Sequence, residues 1–118
     1  EKYRLQPPGT LLTRDQLNAL GRQSLRRAET GWTWKFDWRA FTFPYGPVWP
    51  QLPRVPVDAL LVRGELSTIV NDADLERMAR AMPRARTAVV AGAHHHVPLD
   101  KPAELAAAIL EYAAALAP

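Results

Sequence analysis

Residues 56–118 alternate between short apolar runs and helical patterns, and this alternation strongly limits the possible folds. Residues 57–62 and 87–90 are mostly apolar runs, which are typical of buried strands. Between them, Asn71 and Asp72 offer a helix start, and Pro83 offers a stop. Strands that alternate with helices pair in parallel, with each helix crossing over the sheet. The sequence therefore predicts an α/β fold.

The end of the chain continues this pattern with a last helix. Asp100 is predicted to cap that helix, and Pro102 suits its first turn. Two parallel strands do not form a stable sheet by themselves, because parallel sheets are covered on both faces and contain several strands. We therefore expect the fold to be incomplete without an upstream half.

Residues 1–55 have a different character, with irregular and aromatic stretches. Thr13 and Gln16 have the spacing of a capping box, which predicts a helix that Gly31 would terminate. Residues 31–38 alternate aromatic with polar side chains, which favours an extended segment with one aromatic face. Prolines at every third position between residues 44 and 56 exclude an α-helix there and favour a polyproline-like connection.

The composition narrows the possible functions. The 118-residue chain is 47% hydrophobic and 23% charged, as globular domains are. It has no cysteine, which excludes disulfides, zinc thiolates and a cysteine nucleophile, and we expect a cytoplasmic location. No segment approaches the roughly 20 apolar residues of a membrane span. The net charge of +3 comes from dispersed arginines, so we expect no nucleic-acid partner.

Residues 60–65 and 89–102 resemble the end of an α/β-hydrolase. In that family a helix joins the last two sheet strands, and a Gly-x-Gly-His pattern follows the final strand. Here Gly92, Ala93 and His94 occupy the first three places, so His95 falls on the catalytic histidine. His94 replaces the second glycine, which makes the backbone there less free. The resemblance implies that residues 56–118 are the C-terminal part of the hydrolase core and that residues 1–55, helical and irregular, are the end of a cap.

The resemblance implies that His95 is a general base. An imidazole that takes the proton of a serine hydroxyl activates it, and the same imidazole then protonates the leaving group. The triad acid of the family usually follows the penultimate strand, but Ser67 and Thr68 occupy those places here. Glu65 is the nearest carboxylate and the candidate acid within this chain. The alternative is an acid located upstream.

The nucleophile is missing from this sequence. No Gly-x-Ser-x-Gly occurs, and the serines are Ser24 and Ser67. The resemblance implies a serine hydrolase of esters or acyl compounds, with its nucleophile and oxyanion hole on an N-terminal part of the same hydrolase. We expect the chain alone to be inactive. A non-catalytic relative that serves binding or assembly, and a dehalogenase or epoxide hydrolase with an upstream aspartate nucleophile, are the alternatives.

Two further groups of residues are candidates for binding. Trp32, Trp34 and Trp38 could line a pocket for a small ester or acyl substrate, or could pack the cap onto the sheet. Three consecutive histidines point in different directions and lack the further ligands of a zinc site. We therefore predict no metal and no cofactor.

Overall fold

A computed structural model describes residues 3–42 and 48–117 of the chain. In the first region, helix α1 (Arg14–Gln23) is followed by strands β1 (Leu25–Ala28) and β2 (Gly31–Trp34). In the second region, strand β3 (Ala59–Gly64), helix α2 (Asp72–Ala81) and strand β4 (Ala85–Val90) precede helices α3 (Val97–Asp100) and α4 (Pro102–Ala114). The predicted α/β alternation of the second region is confirmed.

Helix α1 begins as predicted and ends earlier. The Thr13 hydroxyl accepts from the Gln16 backbone N–H, and the Gln16 side chain accepts from the Thr13 N–H, which completes the capping box. The prediction that Gly31 terminates this helix is wrong. Gly31 has φ +114° and lies directly after the turn of an antiparallel hairpin, where β1 pairs with β2. A glycine with positive φ is common both at helix ends and in hairpin turns, so the presence of Gly31 alone did not distinguish the two.

The proline-rich connection differs from its prediction. Residues Trp49–Arg54 form a 3-10 helix that contains Pro50 and Pro53, and a second 3-10 helix covers Trp38–Phe41. Proline fixes φ at a value that a 3-10 turn also uses, so its spacing did not require an extended polyproline segment. Pro44 and Pro47 lie outside the described residues.

The second region is built on a parallel strand pair. β3 pairs with β4 from Ala59 opposite Ala85 to Gly64 opposite Val90. Helix α2 connects them and begins at the predicted residue, where the Asn71 side chain accepts from the Asp74 N–H in a second capping box. Within the described part of the chain, this sheet contains two strands.

The core lies where β4 meets the last helices. Val90, Ala93 and Val97 are buried together, and Val62 and Leu105 pack against them. This core cluster therefore adjoins the carboxyl ends of β3 and β4. No helix among residues 3–42 and 48–117 has the length and apolar character required to cross a membrane.

The prediction that Asp100 caps the last helix is wrong. Asp100 is the last residue of the short helix α3, and Lys101 stands at the N-cap position of α4, where its side chain makes no capping hydrogen bond. Asp100 is instead buried, with its carboxylate bonded to residues distant in sequence. Local spacing indicated a cap, whereas two of the three hydrogen-bond donors to this carboxylate, Thr10 and Leu11, lie about ninety positions away.

Candidate active site at the carboxyl ends of the parallel strands

The loop after β4 holds the three histidines and begins with a tight turn. Gly92 has φ +68°, a left-handed conformation that glycine adopts without strain. Its N–H donates to the Glu65 carboxylate at 2.7 Å. Among the described residues no side-chain-bearing residue has a positive φ, so His94 occupies the place of the family's second glycine with an ordinary backbone.

The loop after β3 is joined to this histidine loop by the backbone. The Glu65 N–H donates to Val90 O at 3.0 Å, and the Leu66 N–H donates to Ala93 O at 2.9 Å. Gly64 makes this approach possible, because a Cβ on it would lie 2.5 Å from Ala93 O and closer still to His94 O. The two loops therefore form one rigid edge of the sheet.

The three histidines have different surroundings. The His94 N–H donates to the Asp100 carboxylate at 2.8 Å. The His96 ring lies with Nε2 3.0 Å from Pro7 O, and since a carbonyl can only accept, Nε2 carries a proton and donates. His95 is exposed, and its Nδ1 lies 3.3 Å from the Ser67 hydroxyl. Thus His94 and His96 hold the loop, and His95 faces outward.

Ser67 is fixed in the neighbouring loop by its own hydrogen bonds. Its N–H donates to Gly64 O at 3.0 Å. Its hydroxyl oxygen accepts from the N–H groups of Ile69 and Val70, each at 3.3 Å. The hydroxyl that contacts His95 therefore belongs to an ordered turn.

The candidate acid Glu65 has a different partner in the structure. Its carboxylate accepts from the Gly92 N–H, so it ties the two loops together at their base. Among the hydrogen bonds of the described residues, the one that involves the His95 ring joins its Nδ1 to the Ser67 hydroxyl. The side chain that follows the penultimate strand and contacts His95 is thus a neutral hydroxyl.

Arg63 holds the loop that carries Ser67 through hydrogen bonds to its backbone. The sequence did not lead us to predict this role. Its buried guanidinium donates to Gly64 O at 2.6 Å and to Glu65 O at 2.9 Å. It also forms an ion pair at 2.5 Å with Asp72, whose side chain is 76% exposed. An arginine within an otherwise apolar strand was the signal that could have revealed it, because a buried charge requires partners.

Asp100 fastens the histidine loop to the N-terminal segment. Its carboxylate accepts from the Thr10 hydroxyl at 2.6 Å and from the Leu11 N–H at 2.9 Å, besides the bond from His94. Burial alone would raise the pKa of Asp100, but the hydrogen bonds from Thr10, Leu11 and His94 outweigh it and hold that pKa below its ordinary value.

The predicted aromatic residues lie on the hairpin. Trp32 is 63% exposed under the Arg27 guanidinium, and Trp34 is 43% exposed between the rings of Tyr3 and Phe36. The predicted alternation is present, but the aromatic side chains occupy the exposed positions of β2. None of these ring contacts involves the histidine loop. The side chain of Trp38 lies outside the described part of the structure.

The fold is shared with solved esterases and hydrolases. An esterase from Mycobacterium tuberculosis matches with a TM-score of 0.71 and 24% identity, over 87% of this chain and 37% of the esterase. E-2-(acetamidomethylene)succinate hydrolase matches with a TM-score of 0.68 and 23% identity, over 86% and 40%. A thioesterase domain from the curacin biosynthetic pathway matches with a TM-score of 0.61 and 24% identity, over 84% and 36%.

These similarities confirm the predicted fold. The chain has the fold of part of an α/β-hydrolase. It spans about two fifths of the length of the matched hydrolase and less of the other two proteins. No protein-family model and no curated protein matches the sequence significantly.

Proposed function

Because the chain folds as part of an α/β-hydrolase, we propose that it is the C-terminal portion of a serine hydrolase that cleaves carboxylic esters or related acyl compounds. His95 is the general base of this proposal. The observation that carries it is the contrast among the three histidines. The half-buried His94 is held by its backbone N–H to Asp100, and the half-buried His96 is held by its ring to Pro7 O. His95 is exposed beside Ser67.

The chemistry requires a single exposed ring nitrogen at this position. As a serine oxygen forms its bond to the substrate carbonyl carbon, His95 Nε2 accepts the hydroxyl proton and the carbonyl π electrons move onto oxygen. When that tetrahedral intermediate collapses, the bond to the alcohol oxygen breaks and the imidazolium returns the proton to this oxygen. Water then repeats both steps on the acyl-enzyme, which releases the acid.

The nucleophile and the oxyanion hole belong, in this proposal, to an N-terminal part that carries Gly-x-Ser-x-Gly. Neither serine of this chain suits the nucleophile's place. The Ser24 hydroxyl donates to Leu20 O at 2.8 Å at the end of α1, and Ser67 lies on the Nδ1 side of His95. We therefore expect the isolated chain to be inactive. Strand β3, whose partner within the described residues is β4, would provide an edge for the upstream strands.

A serine hydrolase site of this kind acts on acyl compounds, so we propose a small ester or acyl compound as the substrate. Its candidate contacts in the assembled protein are Trp32, Trp34 and Trp38. The three matched structures are an esterase, a hydrolase and a thioesterase domain, which supports acyl transfer to water as the reaction. A chain without cysteine requires no oxidising compartment, so we place the enzyme in the cytoplasm.

A serine-directed label tests this proposal. The native protein that contains this chain is treated with a fluorophosphonate, which modifies activated serines, and the labelled peptide is identified by mass spectrometry. We expect the label on a serine within Gly-x-Ser-x-Gly, with loss of p-nitrophenyl butyrate hydrolysis in proportion to labelling. Label on Ser24 or Ser67, or no label, would contradict a serine nucleophile located upstream.

The same experiment separates the alternatives. Ser67 is neutral where the family places an acid, and this favours a non-catalytic relative that serves binding or assembly as the second candidate. That candidate predicts neither label nor hydrolysis. An upstream aspartate nucleophile, as in dehalogenases and epoxide hydrolases, predicts turnover of a haloalkane or epoxide without a labelled serine.

A further inference from the structure

We propose that Ser67 is the positioning residue of His95, and that its neutral hydroxyl takes the place of the triad carboxylate by accepting a hydrogen bond from Nδ1–H. This inference rests on the proposed function, in which His95 acts through Nε2. The 3.3 Å contact between Ser67 and His95 is the observation from which it starts.

The carboxylates near this loop are occupied elsewhere. Glu65 accepts from the Gly92 N–H, Asp72 pairs with Arg63, and Asp100 accepts from three donors of its own. The other titratable ring facing His95 is His96, edge-on at 5.6 Å between centroids. His96 is a donor to Pro7 O through Nε2 and so has a fixed role. Within the described residues, Ser67 is thus the side chain placed to orient His95.

The surroundings of Ser67 suit an acceptor. A hydroxyl has one proton and two acceptor lone pairs. The N–H groups of Ile69 and Val70 both donate to this oxygen at 3.3 Å. In this proposal these two donors, which come from adjacent residues, share one lone-pair region and leave the second for Nδ1–H. The hydroxyl proton can then point to solvent, because this contact is exposed. With the proton on Nδ1, Nε2 keeps the lone pair that a general base needs.

The turn that carries Ser67 is held in advance of any substrate. Arg63 binds the carbonyl oxygens of Gly64 and Glu65, and the Ser67 N–H returns to Gly64 O. A positioning group acts best when its own place is fixed, because no ordering is then needed during the reaction. A neutral acceptor stabilises an imidazolium less than a carboxylate does, so replacement of Ser67 by aspartate should increase activity.

The ¹⁵N chemical shifts of the His95 ring test the inference directly in the complete enzyme, without substrate. We expect the neutral ring of the wild type to carry its proton on Nδ1. Ser67→Ala should move the proton towards Nε2, whereas Ser67→Thr, which keeps the hydroxyl, should not. Thr68→Ala, a neighbouring exposed position, is the matched control and should leave the tautomer unchanged. A wild-type ring protonated on Nε2, or a ring indifferent to Ser67→Ala, would overturn the inference.

Kinetics of the complete enzyme provide the second measurement. Ser67→Ala should lower kcat/KM about fivefold, the effect of one neutral hydrogen bond, and mainly through kcat. Ser67→Asp should raise kcat/KM above that of the wild type.

If Ser67→Ala and Ser67→Asp both match the wild type, the orienting acid lies elsewhere and the inference fails. That failure would still leave the proposed function intact, provided that loss of the His95 imidazole abolishes turnover. If the alanine variant does not fold, the wild-type tautomer and Ser67→Thr still decide the question.

Discussion

The hydroxyl of Thr10 donates a 2.6 Å hydrogen bond to the carboxylate of Asp100, which lies ninety positions later in the chain. The same carboxylate receives the N–H groups of Leu11 and His94. The N-terminal segment is therefore attached to the loop that carries His95 through one buried carboxylate. This connection makes the histidine loop dependent on the first region of the chain.

Replacement of Asp100 by asparagine should destabilise the protein by about 1–3 kcal/mol at pH 7. Thr10 and Leu11 donate to one carboxylate oxygen and His94 donates to the other, whereas the asparagine amide has a single acceptor oxygen. Urea unfolding measures this difference. Asp15→Asn, an exposed position in α1, is the control and should change the free energy of unfolding by less than about 0.5 kcal/mol.

The cost of Asp100→Asn should also depend on pH. The pKa of Asp100 is held below its ordinary value of 3.8, so its contribution is fully present above that value. As the pH falls through the lowered pKa of the folded state, the carboxyl becomes protonated and the contribution is lost. The difference between the wild type and Asp100→Asn should therefore shrink below pH 3.8. An equal difference at pH 7 and pH 3 would contradict this role.

Gly64→Ala should be among the most damaging single methyl additions in this chain. The new Cβ would overlap the backbone oxygens of Ala93 and His94, and backbone cannot move aside as a side chain can. We expect a loss of about 3 kcal/mol in unfolding free energy. Gly92→Ala is the comparison, because its left-handed φ costs roughly 1–2 kcal/mol but its nearest neighbour is Lys101 Cε at 3.8 Å. If thermal unfolding shows that Gly92→Ala lowers the stability more than Gly64→Ala does, the close approach of Gly64 to the backbone oxygens of Ala93 and His94 is contradicted.

Arg63→Met should cost more stability than Asp72→Asn. Methionine removes the guanidinium donor from Glu65 O and from Gly64 O, which keeps the Ser67 N–H as a donor. We expect a loss of about 3 kcal/mol for the two charge-assisted hydrogen bonds. Asp72 is exposed and asparagine keeps one acceptor oxygen, so its replacement should cost less than about 1 kcal/mol. Chemical denaturation of both variants gives the order, and equal losses would show that the ion pair rather than the carbonyl contacts is what matters.

Features with local causes were predictable from the sequence. The starts of α1 and α2 follow from capping boxes within four residues, and the parallel pair follows from two apolar runs separated by a helix. His95 was selected by its spacing from Gly92 alone. The structure places it as the exposed member of the three histidines, although its catalytic role stays a prediction.

Features with distant causes were not predictable. The position of Asp100 before Pro102 indicated a helix cap, and the sequence did not reveal its donors Thr10 and Leu11, which are about ninety residues away. The orientation of Trp32 and Trp34 depends on which face of the hairpin meets other residues, and alternation alone does not specify that face. The contact between Ser67 and His95 depends on the close approach of two loops at Gly64, which no spacing in the sequence encodes.

The most direct test of the account is the kcat/KM of three single variants of the complete enzyme with p-nitrophenyl butyrate. His95→Ala should lower kcat/KM by about 10²–10⁴-fold, the usual contribution of a general base. His94→Ala and His96→Ala should retain most of the activity, because the His94 bond to Asp100 comes from its backbone and the His96 ring is already bonded to Pro7 O through Nε2. Equal losses in all three variants, or an active His95→Ala, would contradict the assignment of His95 as the general base.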